Sequence, residues 1–380
     1  MVSIAGWIVL AVGVTAVVAG LALGWEELLF IGVPLLAGLA VCAVFLIGRS
    51  TYEVGIELKP PRVVVGARAM GRMVVTNNGE KPLLPVTFQL PVGAGVAEFA
   101  IPGLKPGEEH EELFAVPTNR RAVIVAGPAR SVRGDQLGLL RRVVQWADPV
   151  DLFVHPVTTP LAASAAGLVR DLEGQPSKKI TSNDLAFHAL RAYEPGDDRR
   201  YVHWRTSART GQLMVRQFEE TRRSQLTILL SENVEHYASE DEFELAVSMV
   251  ASIGQQVVRE GTKIAVVAES RLLRSHTPGA LLDDTSRLTL GPSKYRTARD
   301  FGRALTRRLP PPSVAVIVSG SRMQLADHRA MSLLFPADAT VIAITASIDS
   351  TPKMSRVSEM QVLTIGELSD LPHVLARAAG

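Results

Sequence analysis

The stretch "QLTILLSENVEHYASEDEFELAVSMVASIGQQVVREGTKIAVVA" (residues 225–268) carries the pattern that decides the fold of this chain. Its two ends, Gln225–Leu230 and Lys263–Ala268, are short apolar runs of the kind that form buried strands. Between them, apolar residues recur at helical spacing over residues 241–259, and Gly261 follows as a helix stop. One face of this predicted helix comprises Phe243, Val247, Val250, Gly254 and Val257. A strand, an amphipathic helix and a second strand predict a unit with two parallel strands.

The same alternation continues toward the C-terminus and extends this unit into a domain. Helices are predicted over residues 298–309 and 325–334, and strands over residues 313–319 and 340–345. Apolar strands between amphipathic helices predict a parallel sheet covered on both faces, which is a doubly wound α/β domain. Such sheets bind ligands at the carboxyl ends of their strands, so a site is expected in the loops after Leu230 and Ser319.

The region before this domain, residues 51–155, shows short β-rich runs separated by turn residues. The runs are "RVVV" (62–65), "RMVVTNNGEKPL" (72–83), "VTFQLP" (86–91) and "RAVIVAG" (121–127). Strands at this spacing predict a β-sandwich domain of immunoglobulin-like shape, with a spacing or adhesion role. We expect residues 156–183 to form a linker and residues 184–380 to form the α/β domain together with the polar segment that precedes its first strand.

Two uncharged apolar stretches at the start of the chain predict a transmembrane helical hairpin within residues 1–50. Each stretch, over residues 4–23 and 28–47, supplies about 20 residues, enough to cross a hydrocarbon core of roughly 30 Å as a helix. A signal peptide is the alternative for the first stretch, but no Lys or Arg precedes it. The connector carries no cation, whereas the second stretch is followed by Arg49, Lys59, Arg62 and Arg68. The positive-inside rule therefore predicts a cell-membrane protein with two spans and a large cytoplasmic C-terminal part.

Composition and the absence of short motifs argue against several classes of binding protein and enzyme. A formal net charge of +2 argues against nucleic-acid binding, which usually shows as a strongly basic domain. The single cysteine, Cys42, excludes an internal disulfide framework and a cysteine-based zinc cluster. The sequence has no G-x-x-x-x-G-K-[ST] loop, no G-x-G-x-x-G turn after the first α/β strand and no G-x-S-x-G elbow. We therefore expect no cofactor, and the sequence leaves the oligomeric state open.

A dense polar stretch, "RAYEPGDDRRYVHWRTSARTG" (residues 191–211), precedes the first α/β strand. One interpretation is a serine triad that combines His188 or His203 with Asp197 or Asp198 and with Ser207, but proximity in sequence is poor support for triad geometry. Metal ligation by the same histidines lacks the H-x-x-x-H or H-E-x-x-H spacing. Nucleic-acid binding is disfavoured because carboxylates lie among the arginines and would repel a phosphate backbone.

The interpretation that we favour for this stretch is an internal brace that ties the segment to the body of the α/β domain. Its carboxylates follow Pro195-Gly196, a turn pair, so they would project from a fixed loop and accept arginine forks. The expected partners are Asp197 and Asp198 as acceptors and Arg191, Arg200 and Arg209 as donors. Trp204 would be the buried apolar anchor. The outward-facing remainder, left for docking a partner, comprises Glu194, Arg199 and Arg205.

Residues 190–219 resemble the signature of the domain-of-unknown-function 58 family, which reads close to L-R-x-Y-x-P-G-D-D-x-R-x-I-D-W-x-x-S-A-R-x-G-x-L-x-V-R-x-F-E. The matching positions are Arg191, Tyr193, Pro195, Gly196, Asp197, Asp198, Arg200, Trp204, Ser207, Ala208, Arg209 and Gly211. His203 stands where the family usually has an aspartate before the tryptophan. The likeness extends more weakly upstream, to "VRGDQLGLLRR" (132–142) and "VHP" (154–156), and with the two predicted spans it covers nearly the whole chain.

This resemblance implies a von Willebrand factor type A-like α/β domain and a partnership with a MoxR-type AAA+ ATPase. No enzyme activity is established for the family, so the resemblance does not indicate one for this chain. The metal-ion-dependent adhesion site of such domains uses D-x-S-x-S after the first strand, because a hard cation binds carboxylate and hydroxyl oxygens. Here that loop offers Ser231, Asn233 and Glu235 without an aspartate at the first position, and the later loop reads Ser319-Gly320-Ser321. We therefore expect a degenerate site that holds no metal.

Together these patterns favour a non-enzymatic, membrane-anchored scaffold or adaptor. It would act with the MoxR-type ATPase in protein-complex assembly or in cell-envelope processes. One alternative is a hydrolase that uses His203, Asp198 and Ser207. Another is an envelope-precursor or lipid-binding protein that uses the β domain.

Overall fold

The chain divides into two compact units, Met1–His155 and Pro156–Gly380. The computed structural model describes residues 2–46, 52–134, 137–161, 180–181, 186–219 and 225–379. The first unit contains a helical hairpin and a β-sandwich, and the second contains a small antiparallel sheet and an α/β domain.

The first unit opens with two antiparallel apolar helices, α1 (Ile4–Leu23) and α2 (Glu26–Leu46). Ser3 begins α1, because its hydroxyl accepts a hydrogen bond from the Gly6 N–H, and Gly24 ends it with a left-handed backbone at φ 73°. By length and composition, both helices are long and apolar enough to cross a membrane. Their bounds agree with the two predicted spans as far as Leu46, and residue 47 lies outside the described part of the chain.

Glycines bring these two helices close together. A Cβ atom at Gly13 would lie 2.9 Å from Leu36 Cδ2, and one at Gly32 would lie 2.7 Å from Val17 Cγ2 and 2.9 Å from the Gly13 carbonyl oxygen. Larger side chains would push the two backbones apart. Small residues at a helix interface are typical of apolar helices that associate through van der Waals packing.

The remainder of the first unit is a two-sheet sandwich. Its strands are β1 (Tyr52–Lys59), β2 (Arg62–Val64), β3 (Ala69–Asn77), β4 (Val86–Val92), β5 (Gly95–Ile101), β6 (Glu109–Val116), β7 (Ala122–Ala126), β8 (Arg130–Gly134), β9 (Arg141–Gln145) and β10 (Val150–His155). One sheet has the order β1-β3-β6, and the other has the order β2-β10-β7-β4-β8-β9 with β5 paired to β4. Alternate residues of β3 and β4 are buried, and side chains such as Met73, Phe88 and Leu90 fill the space between the sheets.

The start of the second unit differs from the predicted linker. Leu161 is buried in the core of the α/β domain, and the Thr159 N–H donates to Ser252 Oγ at 3.1 Å. Residues 162–179 and 182–183 of the predicted linker lie outside the described part of the chain. The polar signature then forms a small antiparallel sheet of order β11-β13-β12, which the sequence did not predict. Its strands are β11 (Ile180–Thr181), β12 (Ala186–Ala192) and β13 (Met214–Glu219). The short helix α3 (Trp204–Thr210) lies between β12 and β13 in the sequence.

The α/β domain follows from residue 225. Its elements are β14 (Gln225–Leu230), α4 (Glu240–Arg259), β15 (Lys263–Ala268), β16 (Leu272–Leu273), α5 (Pro278–Thr285), α6 (Ala298–Thr306), β17 (Val314–Gly320), α7 (Leu325–Ser332), β18 (Thr340–Ala346), β19 (Lys353–Val357), β20 (Met360–Ile365) and α8 (Leu371–Ala379). The strand order is β16-β15-β14-β17-β18-β20-β19. The inner strands run parallel, and the edge strands β16 and β19 run antiparallel to their neighbours.

Helices cover both faces of this sheet, as the sequence predicted. On one face, Ile228 and Val316 pack in a core that also contains residues of α4, α5 and α8. On the other face, Leu229 and Ile317 pack in a core that contains Phe301 of α6 and Met331 of α7. Strand order reverses at β14, which pairs with β15 on one side and β17 on the other. The loops after β14 and β17 therefore meet at the carboxyl edge, where sheets of this kind form ligand sites.

Candidate functional site

The signature hairpin, defined here as residues 191–211, is the connection between the paired strands β12 and β13, in which Arg191 lies opposite Val215 and Ala192 opposite Met214. Gly196 turns the chain with a left-handed φ of 115°, which only glycine adopts easily. A 3₁₀ turn (Arg199–Tyr201) and α3 follow, and Gly211 ends α3 at φ 73°. The polar residues of the motif therefore lie in a structured connection between two strands, which consists of a turn, a 3₁₀ turn and a short helix.

Asp197 closes the first turn of this hairpin. Its two carboxylate oxygens accept a bidentate fork from Arg191 at 2.8 and 2.6 Å, and one of them also accepts the Glu194 N–H at 2.9 Å. The hydrogen bond from Arg191 lowers the pKa of Asp197 below its ordinary value, since it favours the charged form. The predicted pairing of an aspartate with Arg191 is present, and it joins two residues of the same hairpin.

Asp198 makes a second, more exposed pair. It caps the 3₁₀ turn through the Arg200 N–H at 3.0 Å, and it accepts Arg200 Nη2 at 2.7 Å. The Arg200 side chain is 85% exposed, so water competes for both partners of this pair. The hydrogen bond from Arg200 lowers the pKa of Asp198.

His203 and Ser207 make contacts that hold the short helix in place. His203 Nδ1 lies 2.8 Å from Thr206 Oγ1 and accepts the Thr206 N–H at 3.2 Å, which is a helix-capping contact. Ser207 Oγ donates to the His203 carbonyl oxygen at 3.1 Å and accepts the Met214 N–H at 2.8 Å. Ser207 is buried and pins α3 to β13. The side chain of His188, the other histidine of the predicted triad, lies outside the described part of the chain.

Trp204 corrects the predicted brace, because its side chain is not a buried anchor. Trp204 is 67% exposed, and Arg205 and Arg209 on the same helix are exposed as well. The hairpin is anchored instead by Val202 and Val215, which are buried and bridge each other, and by the short Ser207 side chain.

A second polar cluster lies at the carboxyl edge of the α/β sheet, around Ser231. Ser231 Oγ donates to Glu269 Oε1 at 2.7 Å, accepts the Asn233 N–H at 3.2 Å and lies 2.8 Å from His236 Nδ1. Glu269 also accepts a hydrogen bond from Ser293 Oγ. Ser231 and Glu269 are buried, so these bonds satisfy groups that water does not reach.

Two more buried glutamates tie neighbouring loops together at this edge. Glu242, at the start of α4, accepts the Ala238 N–H at 2.8 Å and both the N–H and the hydroxyl of Ser321 at 3.2 and 3.0 Å. Glu232 accepts the Ser270 N–H at 2.6 Å. Tyr237 lies among them and donates to the Ser231 carbonyl oxygen at 2.6 Å. Burial raises the pKa of Tyr237 well above its ordinary value, and the negative charges of the nearby glutamates raise it further.

The loop after β14, which was expected to be a degenerate adhesion site, is held by hydrogen bonds between its own residues. Asn233 Oδ1 accepts the Glu235 N–H at 3.2 Å, and the Glu235 side chain is exposed. At Gly320, a Cβ atom would lie 2.4 Å from Tyr237 Cδ1 and 2.5 Å from the His236 carbonyl oxygen, so no side chain fits there without movement. In the described residues, no group of three or more His, Cys, Asp or Glu side chains is arranged to hold a metal ion.

A buried serine–histidine pair lies beside this edge. His328 Nδ1 is 3.1 Å from the Gln324 carbonyl oxygen, so it carries the proton, and Nε2 accepts from Ser319 Oγ at 2.9 Å. Burial is the largest cause that lowers the pKa of His328, and the neighbouring His236 lowers it further. Ser319 is fully buried and His328 is 2% exposed, so a substrate has no access to the pair and its role is structural.

Sequence reasoning missed most of this edge cluster. Glu269 directly follows β15 and Glu232 is the second residue after the adjacent parallel strand β14, so the rule for the carboxyl ends of strands was a signal that could have found them. Glu242 and Ser321 are 79 residues apart, and Ser293 comes from another loop. Only the folded chain brings them together.

Comparisons with known sequences place the likeness in this half of the chain. Residues 189–281 match the family described as "Protein of unknown function DUF58", a stretch that contains both the signature hairpin and the Ser231–Glu269 contact. The "Uncharacterized protein YeaD" of Bacillus subtilis is 32% identical over 129 residues, which is 34% of this chain. The match spans about a third of that relative's length, 31%.

Among solved structures, the chain is similar to the CARDB domain of a Pyrococcus furiosus protein, crystallised with di-metal ions (17% identity, 28% of this chain, 93% of that chain, TM-score 0.22). It is also similar to the PKD domain of an M14-like peptidase from a Thermoplasmatales archaeon (16% identity, 28% and 98% coverage, TM-score 0.18). A third similar structure is proximal thread matrix protein 1 from the mussel byssus (12% identity, 41% and 47% coverage, TM-score 0.30).

Proposed function

We propose that this protein is a membrane-anchored, non-enzymatic scaffold or adaptor, and that its signature hairpin docks a MoxR-type AAA+ ATPase. The observation that carries the proposal is the exposed Trp204 on α3, flanked by the exposed Arg205 and Arg209. Tryptophan and arginine are the residues most enriched among those that dominate binding energy at protein interfaces. A partner surface with carboxylates around an apolar pocket would fit this combination.

The internal contacts of the hairpin support a docking role over a catalytic one. Asp197 and Asp198 are engaged by Arg191 and Arg200, which fixes the turns that present α3. Ser207 is occupied by two hydrogen bonds to the backbone. A hydrolase would need a serine whose hydroxyl proton can pass to a histidine nitrogen, and Ser207 donates to a carbonyl oxygen instead.

The rest of the proposal concerns the anchor and the α/β domain. Two apolar helices followed by cations support anchorage in a membrane with the C-terminal part in the cytoplasm. A mainly parallel sheet with helices on both faces supports a likeness to von Willebrand factor type A domains. In such a protein the α/β domain and the signature hairpin would present the partner-binding surface, and the helices would hold it at the membrane.

The test measures the affinity of the full-length protein in nanodiscs for a purified MoxR-type ATPase of the same organism. We expect Trp204→Ala to weaken binding by more than about tenfold, as at an interface hot spot. The matched control is Met354→Ala, which removes another exposed apolar side chain, on β19 (50% exposed), and should leave the affinity unchanged. Equal affinity for the native protein and the Trp204 variant would reject this docking surface, and no binding by the native protein would reject the partner.

A further inference from the structure

We propose that the tip of the β8–β9 hairpin, residues 137–142, lies in the interfacial layer of the lipid bilayer as a second contact beside the two helices. The proposal rests on the membrane anchorage proposed above and assigns a lipid-binding role to the sandwich. It is carried by one juxtaposition: an exposed leucine followed by two exposed arginines, held against the first turn of α1.

Backbone contacts fix the tip to the beginning of the first apolar helix. The Ser3 N–H donates to the Leu139 carbonyl oxygen at 2.9 Å, and Val2 forms an antiparallel bridge with Leu140. The approach is close enough that a Cβ atom at Gly6 would lie 2.3 Å from the Leu139 oxygen. If α1 crosses the hydrocarbon core, its first turn marks the boundary of that core. The tip then lies at the depth of the lipid headgroups.

The start of β1 contacts the β3–β4 loop and the end of β8. β1 begins at Tyr52, a few residues after α2 ends. Tyr52 OH lies 3.5 Å from the Leu84 carbonyl oxygen and accepts Arg133 Nη2 at 3.4 Å, which places the β3–β4 loop and β8 beside the start of β1. The Leu84 side chain is itself 74% exposed, so this end of the domain carries more than one exposed leucine.

The side chains of the tip have the chemistry of a membrane-surface element. Leu137 is 72% exposed, and transfer of its side chain from water to the acyl chains would be favourable. Arg141 and Arg142 are exposed on the edge strand β9, and Arg141 also donates to Gln89 Oε1 at 2.9 Å. Long arginine side chains reach lipid phosphates while their stems lie along apolar surface.

The experiment uses the full-length protein in nanodiscs, with a fluorophore on a single engineered cysteine in a Cys42→Ala background. Leu137→Cys reports on the tip. Val96→Cys is the matched control, because Val96 is 60% exposed and pairs with Pro91 near the opposite end of β4 from Leu84. Val14→Cys, near the middle of α1, reports on the anchor. Lipids that carry a nitroxide at a shallow or a deep position quench each label according to its depth.

We expect shallow nitroxides to quench the Leu137 label several-fold more than the Val96 label, and deep nitroxides to quench the Val14 label. In discs with anionic lipid, the double change Arg141→Gln and Arg142→Gln should reduce the quenching at Leu137. If the Val14 label is quenched while the Leu137 label behaves like the Val96 label, the helices are in the bilayer and the tip proposal is wrong. If the Val14 label is not quenched, the anchorage itself fails and the tip proposal fails with it.

Discussion

Gly320, at the end of β17, occupies a position at the carboxyl edge of the α/β sheet where the structure leaves no room for a side chain. The chain passes so close to Tyr237 and the His236 carbonyl oxygen that a Cβ atom would lie 2.4 and 2.5 Å from them. We expect Gly320→Ala to lower the free energy of unfolding by about 1–3 kcal/mol, as overpacking of a tight core does. Chemical denaturation of the full-length protein, followed by tyrosine and tryptophan fluorescence, measures this loss.

The control for this prediction is Gly279→Ala, in the first turn of α5. A Cβ atom there meets nothing within 4 Å, so the substitution should stabilise the protein slightly, since alanine loses less entropy in a helix. A Gly320→Ala variant as stable as the native protein would show that Tyr237 can move aside.

His328 makes the stability of the α/β domain depend on pH. Its pKa is lowered in the folded state, chiefly by burial and further by the charge of His236, although the Gln324 carbonyl and Asp327 oppose the shift. The unfolded chain therefore binds a proton at a higher pH than the folded chain does. The stability is present above the unfolded pKa, about 6.5, and is lost as the pH falls toward the folded pKa.

We expect the denaturation midpoint of the native protein to fall between pH 7.5 and pH 5.5, and His328→Gln to remove part of that fall. His373→Gln, at an exposed histidine on α8, should leave the pH dependence as it is. Identical pH profiles for the native protein and the His328 variant would contradict the assignment of the titration to His328.

At the scale of elements, the signature hairpin separates residues that hold its fold from residues that face outward. Ser207 is buried and supplies a hydrogen bond to the Met214 N–H, whereas Trp204 lies largely in solvent. We expect Ser207→Ala to weaken the hairpin by about 1–2 kcal/mol, because it leaves a backbone donor without its partner. Hydrogen exchange at the Met214 amide should accelerate accordingly.

Trp204→Ala is the counterpart in the same element and should leave that exchange rate nearly unchanged. Asp198→Ala should also have little effect, since an exposed ion pair contributes little to stability. Faster exchange in the Trp204 variant than in the Ser207 variant would restore the predicted role of the indole as the anchor of the hairpin.

The loops at the carboxyl edge of the sheet lead to a prediction about divalent metal. Ser231 Oγ is held by Glu269 and lies against His236, and Asn233 caps the following turn, so these oxygens are already engaged. We expect millimolar Mg²⁺ to leave the melting temperature unchanged. A bound metal at a hundredfold excess over its dissociation constant would stabilise the protein by about 2.7 kcal/mol. A rise in melting temperature that a chelator reverses would therefore show that the loop binds metal.

For the whole molecule, the proposed transmembrane hairpin would set on which side of the membrane the domains lie. Arg49, Lys59, Arg62 and Arg68 follow the second helix, whereas the connector has no cation. We expect a reporter fused after residue 380 to be active only in the cytoplasm, and a reporter inserted after residue 26 to be active only on the other side. The reverse pattern would place the proposed ATPase partner out of reach and would reject the proposed function as well.

Elements whose burial is complete or strictly periodic could be predicted from the amino-acid sequence. Gln225–Leu230 and Lys263–Ala268 are strands with the predicted bounds, because strands covered on both faces must be apolar throughout. The helix predicted over residues 241–259 begins one residue earlier, since Ser239 caps it. The two helices of the N-terminal hairpin could be predicted equally well, because about 20 consecutive apolar residues are typical of a helix that spans a membrane.

The edge strands, the signature sheet and the contacts of both sites could not be predicted from the amino-acid sequence. β16 has only two residues, and the pattern of β19 and of the signature strands is mixed in polarity, so their pairing depends on neighbours distant in sequence. The same holds for Trp204, because a tryptophan among arginines suits a buried network and an exposed surface equally well. Glu242 meets Ser321 only because the sheet brings the ends of β14 and β17 together. The hydrophobic pattern of a segment shows how much of that segment is buried. Which residues it packs against depends on how distant parts of the chain come together in the fold.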